Sequence, residues 1–450
     1  MAYNIIFYFT DQQRADTCGC YGQPLEITPT LDRLAKEGVK FEYAFSPQPV
    51  CGPCRALFQT GKYPTETGCF RNNIMLPSGI KTLANYIEEA GYETAYIGKW
   101  HLASDGELEK PPVIDHTITA VPLEKRGGYT GFWRAADVLE FTSHGYDGYV
   151  FDEHNHRIDF TGYRADCITD MALEFFDQRD EQKPFFMTIS HIEPHHQNDR
   201  KHYEGPKGSR ERFKDYILPE DLKALRGDAD IEYPDYLGAC ASLDENLKKL
   251  VDRLKEKGLY ENTIIIFGSD HGSHFRTRNL DEHLFGYDDY KRSCHDAALR
   301  VPLVIAGGPY KGGIAVKELV STESLPKTIL AMAGVDVGDA MIGENLLDVV
   351  EKKNPSRANE VFAQISESRL GRCIRTPRYT YSVYAPGIHG GAAAAADEYA
   401  DDFLYDMDKD PHQLNNIVAD PSYQEVKEKL RSRLLDWIER AEGSRPMIHD

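Results

Sequence analysis

Residues 50–55 read Val-Cys-Gly-Pro-Cys-Arg. Cys51 and Cys54 have the spacing of a redox dithiol. Pro53 suits the first turn of a helix, Ala56-Leu57-Phe58 continue it, and Gly61 can end it. Cys51 then lies at the positive N-terminal end of a short helix, which favours a thiolate or a bound oxyanion. On these grounds a redox cysteine and an anion-binding nucleophile fit equally well. A thioredoxin-type site has a Trp before its first Cys and a far smaller fold, whereas Val50 precedes Cys51 in a chain of 450 residues. A zinc site built from Cys18, Cys20, Cys51 and Cys54 is conceivable from spacing, but the pattern is not a usual one.

Acids, bases and cations recur in a second pattern, at the ends of apolar runs. Asn4–Thr10 leads into Asp11-Gln12, and Thr94–Gly98 into Lys99-Trp100-His101. Pro184–Ser190 leads into His191, with His195 and His196 close behind, and Thr263–Ser269 into Asp270-His271. In an open parallel sheet, ligands bind beyond the carboxyl ends of the strands, so four such ends define one site. Asp11, Gln12, Asp270 and His271 together could hold a divalent cation. Two carboxylates and an amide oxygen suit Ca²⁺ or Mg²⁺, and the imidazole leaves Mn²⁺ or Zn²⁺ open.

The elements that must carry these residues are an α/β set. The four runs are nearly all apolar, as strands buried on both faces read. Helical patterns alternate with them at Thr28–Gly38, Thr82–Gly91, Ile168–Arg179 and Ser242–Gly258, which implies a large, mostly parallel sheet flanked by helices. Residues 105–165 are polar and irregular and read as loops and a hairpin. From about residue 355 the style changes to antiparallel strands and a terminal helix with Val426, Leu430, Leu434, Trp437, Ile438 and Ala441 on its buried side. A catalytic domain over 1–355 and a smaller α+β subdomain over 356–450 are expected. The low-complexity stretch Gly390–Asp402 reads as a mobile excursion.

Composition narrows the partners. The formal charge is −20 with no basic block, which argues against nucleic acid. It also disfavours long polyanions, so an anionic substrate must be caught by a local cluster of cations. No run approaches a membrane span, and the N-terminus reads as a strand, not a leader. Nine cysteines imply reduced thiols, and the expectation is a cytoplasmic protein without membrane partners.

The stretch Cys51-Gly-Pro-Cys54-Arg55, continued by Ala-Leu-Phe-Gln-Thr-Gly-Lys-Tyr-Pro, resembles the signature of the sulfatase family, within the alkaline phosphatase superfamily. Other motifs follow in the family's order: Thr10-Asp11-Gln12-Gln13, Gly98-Lys99-Trp100-His101-Leu102, Pro194-His195-His196, Ser269-Asp270-His271-Gly272, Lys291 nine residues before Arg300, and Phe403-Leu404-Tyr405-Asp406 onward. The resemblance spans residues 4 to about 420. It implies that Cys51 is oxidised to formylglycine by a sulfatase-maturating enzyme. One hydroxyl of the hydrated aldehyde would attack sulfur, and the other would later expel sulfate. It also implies that Arg55 orients the nucleophile, Lys99 and Lys291 hold sulfate oxygens, and His101 positions the hydrated aldehyde. His195 would sit at the leaving oxygen, a role that His191 or His196 could also fill. Position 51 would join Asp11, Gln12, Asp270 and His271 around the metal, Ca²⁺ first.

The chain departs from the family pattern in places. Asp11-Gln12 replaces the common Asp-Asp and also occurs in relatives that cleave choline sulfate, phosphonate monoesters or phosphodiesters. His295-Asp296 replaces Tyr-Glu. His274 and Arg276, just past the metal pair, could bind a second anionic group, and Asn73 and Arg134 are further pocket candidates. The expected activity is hydrolysis of a carbohydrate sulfate, small or at a chain end. A phosphonate or phosphate ester hydrolase is the alternative within the superfamily, and a Cys51/Cys54 redox or zinc protein the alternative outside it. A homo-oligomer is compatible with all of these.

Overall fold

The computed structural model describes residues 2–104, 115–278 and 290–450. The four apolar runs are the strands Asn4–Thr10, Glu93–Lys99, Phe185–Ser190 and Thr263–Ser269. They are contiguous in one twelve-stranded sheet, with Asn4–Thr10 between Thr263–Ser269 and Phe185–Ser190, and every pairing among them is parallel. Thr10 pairs with Ser269, and Ser190 with Phe9 and Gly98. The residues that follow each strand therefore meet at one sheet edge.

Side chains alternate between two apolar layers, which explains the unbroken hydrophobic runs. Ile5, Phe7 and Phe9 face the layer holding the helices Cys51–Thr60, Leu83–Glu89 and Leu325–Met332. Ile6 and Tyr8 face the layer of Pro29–Glu37, Arg164–Gln178 and Ala229–Glu256. Each fully buried Ile or Phe contributes about 1.5–3 kcal/mol relative to exposure. The long helix starts well before Ser242, where the sequence pattern becomes regular, and includes Pro234.

Residues 115–165 are more regular than expected. They contain the hairpin Asp147–Asp152 and Arg157–Thr161, but also Phe132–Ala136, a parallel sheet strand beside Glu93–Lys99. Residues 105–114 lie outside the described set. On the other flank, Leu303–Ala306 runs antiparallel between Thr263–Ser269 and Val39–Phe45.

A separate five-stranded sheet comprises Val361–Ile365, Arg369–Arg375, Tyr379–His389, Glu398–Asp406 and the short Met447–His449. Its first four strands are antiparallel. The expected excursion is shorter than its composition suggests, because Glu398 onward is paired strand. The terminal helix Gln424–Glu442 buries Leu430, Leu434, Ile438 and Ala441. Among the described residues no helix is long and apolar enough to cross a membrane.

Candidate active site

Cys51 opens the helix Cys51–Thr60, all ten residues of which are buried. Gly61 ends it in the left-handed region at φ 61°, a conformation glycine adopts without a Cβ clash. The Cys51 sulfur lies 3.3 Å from Asp11 Oδ1, 3.3 Å from His271 Nε2 and 3.2 Å from Lys291 Nζ. His195 Nε2 lies 2.7 Å from Lys291 Nζ, and His101 is near enough to favour the Cys51 thiolate. Residues from two strand ends and from position 291 thus converge on one atom, with Lys99 joined through Asp11 and His195 through Lys291.

The next layer fixes these groups. Arg55 Nη2 donates to Asp11 Oδ2 at 3.0 Å, and its Nη1 donates to Ser190 Oγ at 2.7 Å and the Lys99 carbonyl at 2.8 Å. Lys99 Nζ donates to Asp11 Oδ2 at 2.8 Å. Asp270 Oδ1 accepts from the backbone N–H groups of Gln12 and His271 at 3.0 and 2.8 Å. His101 sits at φ 61°, a strained region for a non-glycine residue. Its N–H donates to the Asp137 carbonyl at 2.6 Å, while the Asp137 carboxylate accepts from the N–H groups of Leu102, Ala103 and Ser104.

The electrostatics are those of an enclosed, mixed-charge pocket. Burial pushes the Cys51 thiol up, but Lys291, Lys99 and His271 outweigh it and hold the thiol well below its usual range. Burial and the Cys51 charge push Asp11 up, yet Lys99, His195 and Arg55 keep it low. Asp270 is pushed up to about 7 by burial and by the charge of Asp11. Burial and then Lys291 keep His195 low.

Asp11, Cys51, Asp270 and His271 offer ligand atoms that all lie within 4.8 Å of one another, and all four residues are buried. Among the described residues Asp270 Oδ2 is buried without a hydrogen-bond partner, with Arg55 Nη2 3.7 Å away. His271 Nδ1 stands 3.0 Å from the Gly272 carbonyl. A proton donated there leaves the Nε2 lone pair facing the cluster, as a metal-binding imidazole requires. A divalent cation fits this set, since it would relieve two adjacent buried carboxylates and complete the orphaned oxygen.

Not every residue singled out above joins the cluster. The Gln12 amide is engaged with Tyr203, Ser273 and the His196 backbone, and Gln12 reaches the site through its N–H to Asp270. His274 is buried beneath position 291, its Nε2 2.7 Å from the Lys291 carbonyl. Arg276 is exposed, with φ 62°. Asn73 is exposed, whereas its neighbour Asn72 accepts from the Gly52 N–H at 2.8 Å. Arg134 pairs with Glu153 and Glu174 on the flank of the sheet. Asp137, Ser190 and Asn72 carried no motif and were missed. His191, the first candidate after its strand, packs against the Tyr8 ring, and among the described residues neither ring nitrogen has a hydrogen-bond partner.

The four-cysteine zinc reading fails, because the cluster that forms around Cys51 uses two carboxylates and an imidazole. Cys54 instead donates to the Asp270 carbonyl at 3.3 Å, and all nine cysteines are free.

A buried cysteine flanked by carboxylates and lysines, with a residue set that fits a cation, lies at the carboxyl edge of a parallel sheet, where the catalytic sites of α/β hydrolases sit. Sequence and structure comparisons narrow this further. The family model described as Sulfatase matches residues 3–335, and that described as N-sulphoglucosamine sulphohydrolase, C-terminal, matches 282–440. An ulvan-active sulfatase from Formosa agariphila is 30% identical over 456 residues, covering 96% of this chain and 80% of the relative. An N-acetylglucosamine-6-O-sulfatase from Bacteroides thetaiotaomicron is 27% identical, with 96% and 85% covered. The fold matches that of a candidate sulfatase from Bacteroides fragilis at TM-score 0.80 and 24% identity, over 98% of this chain and 96% of that one. The chain belongs to the sulfatase family, and its reaction is the hydrolysis of a sulfate ester. Membership implies a divalent metal and a formylglycine in the working enzyme.

Proposed function

We propose that this enzyme removes sulfate from a small or chain-end carbohydrate ester, using formylglycine made from Cys51 and a bound cation, Ca²⁺ first. The observation that carries this reading is the convergence on Cys51 Sγ of Asp11, His271 and Lys291, all within 3.3 Å. The carbohydrate assignment draws on the relatives that act on ulvan and on N-acetylglucosamine-6-O-sulfate.

Each side chain has a role that its position supports. Asp11, Asp270 and His271, with the oxygen at position 51, would hold the cation, and Gln12 would steady Asp270 through its N–H. When bound, the cation supplies Lewis acidity and favours a deprotonated nucleophile. Position 51, once converted to formylglycine, would offer a hydroxyl for attack on sulfur and a second hydroxyl through which sulfate could be released. Lys99 and Lys291, both buried, would neutralise sulfate oxygens away from bulk solvent, where such contacts are strong. Arg55, bonded to Asp11, Ser190 and the Lys99 backbone, keeps the helix start and the strand ends in register. His101 holds the nucleophile, and His195 hands a proton to the leaving oxygen.

The test is a peptide mass spectrum of the purified enzyme, followed by assays on sulfated mono- and disaccharides. The Cys51 peptide should be lighter by the difference between SH₂ and O, and at least one sugar sulfate should be turned over. An active enzyme with unmodified Cys51, or faster turnover of phosphonate than sulfate esters of one alcohol, would overturn the proposal.

A further inference from the structure

The helix that begins at Cys51 has no cap of its own. Val50, at its N-cap, offers no side-chain acceptor, although the first N–H groups of a helix have no intrahelical partner. The Gly52 N–H instead donates to Asn72 Oδ1 at 2.8 Å. The approach is so close that a Cβ at position 52 would stand 2.9 Å from that oxygen. The Asn72 backbone N–H in turn donates to Glu367 Oε1, in the turn between Val361–Ile365 and Arg369–Arg375 of the second sheet.

The other oxygen of Glu367 holds the opposite wall. Arg292 Nε donates to Glu367 Oε2, with both side chains largely buried, at 17% and 14% exposure. Arg292 follows Lys291 and sits at φ 63°, a conformation a non-glycine residue keeps only when its surroundings impose it. Ser368 Oγ donates to the Arg292 carbonyl at 2.7 Å, and the Arg292 N–H donates to the Pro49 carbonyl at 3.4 Å. One turn of the second sheet therefore grips both the segment that caps the nucleophile helix and the segment that presents Lys291.

We propose that Glu367 is a positioning residue of the sulfatase reaction: its two carboxylate oxygens set the spacing between position 51 and Lys291. This rests on the reading in which position 51 carries the nucleophile and Lys291 binds sulfate. Glu367 touches neither the reacting sulfur nor the cation cluster. It acts through Asn72 on one side and Arg292 on the other.

The experiment compares matured full-length enzyme with E367A, E367Q and N72A. Misplacing a reacting group by about 1 Å can lose about 10²-fold in rate. On that scale E367A should lose about 10- to 100-fold in kcat, with KM changed by less than about threefold. E367Q keeps the length and an acceptor oxygen and should recover at least about fivefold of that loss. N72A keeps the Glu367 contact but removes the helix cap, and should lower kcat by less than E367A. Hydrogen exchange followed by mass spectrometry gives a readout independent of turnover. The peptide around Gly52 should lose protection in E367A while Val361–Arg375 keeps its own.

A kcat within about twofold of wild type together with unchanged exchange at Gly52 would overturn the proposal. Loss of protection throughout the second sheet, shared equally by E367Q, would overturn it too, because the role would then be structural. If matured wild type hydrolyses no sulfate ester while E367A still frees Gly52, the functional reading fails and the tether stands.

Discussion

Lys291 Nζ lies 2.7 Å from His195 Nε2 and 3.2 Å from Cys51 Sγ. An ammonium has only protons to give, so His195 accepts at Nε2. The imidazole is then neutral there, which agrees with burial and the Lys291 charge holding its pKa low. A sulfate entering the pocket competes for the same ammonium protons. On the proposed reading, a sulfate that draws Lys291 away would leave His195 Nε2 free to take up the proton it later gives to the leaving oxygen.

Removal of that cation should be expensive. Lys291→Met is expected to lower kcat/KM by about 10²–10³-fold, the scale for losing one group that stabilises developing charge. Steady-state assays on one sulfate ester check it, with circular dichroism to confirm folding.

His195→Asn should reveal its role through the leaving group. On a sugar sulfate, whose alkoxide is a poor leaving group, the loss should reach about 10²–10⁴-fold. On an aryl sulfate with an acidic phenol it should be much smaller. Equal losses on both substrates would remove His195 from the proton-transfer role.

The cation can be tested without turnover. Metal analysis of the purified protein should find one divalent ion per chain, and a strong chelator should lower both activity and the thermal midpoint. Asp270→Asn removes half of the carboxylate charge in the set and should weaken metal retention on dialysis.

A pH dependence of stability originates away from the site. Glu323 is pushed up to about 7, chiefly by burial, from an ordinary value of 4.5, and accepts from the Tyr63 hydroxyl at 3.0 Å. Between these values the folded chain keeps a proton that the unfolded chain releases. Stability from this group therefore falls as pH rises from about 4.5 to about 7 and stays reduced above. Glu323→Gln should be more stable than wild type by about 1–3 kcal/mol at pH 8, with the gain vanishing near pH 4. Urea midpoints at the two pH values measure it.

The sheet centre was legible because its strands are buried on both faces and so read as unbroken apolar runs. Phe132–Ala136 was not, because Arg134 interrupts the run and its partners, Glu153 and Glu174, come from outside the strand. The start of Ala229–Glu256 was hidden by Pro234, which reads as a break. Asp11, Lys99, His101, Asp270 and His271 were legible from the strand each one follows, and Cys51 and Arg55 from their motif. Lys291 follows no strand and was legible through the family spacing alone. Asn72 and Glu367 had no such marker. Their contact joins residues 295 positions apart, between a loop of the large domain and a turn of the second sheet. Asn73 stood out in place of Asn72 because composition cannot say which of two adjacent asparagines turns inward.

The enclosure of the thiol sets an order of events. Only 1% of Cys51 is exposed, and its helix is covered along its whole length. On the proposed reading, an enzyme that oxidises Cys51 would have to reach it before this helix is covered. A chain that closes unconverted would stay a spectator until it is unfolded and offered the chance again.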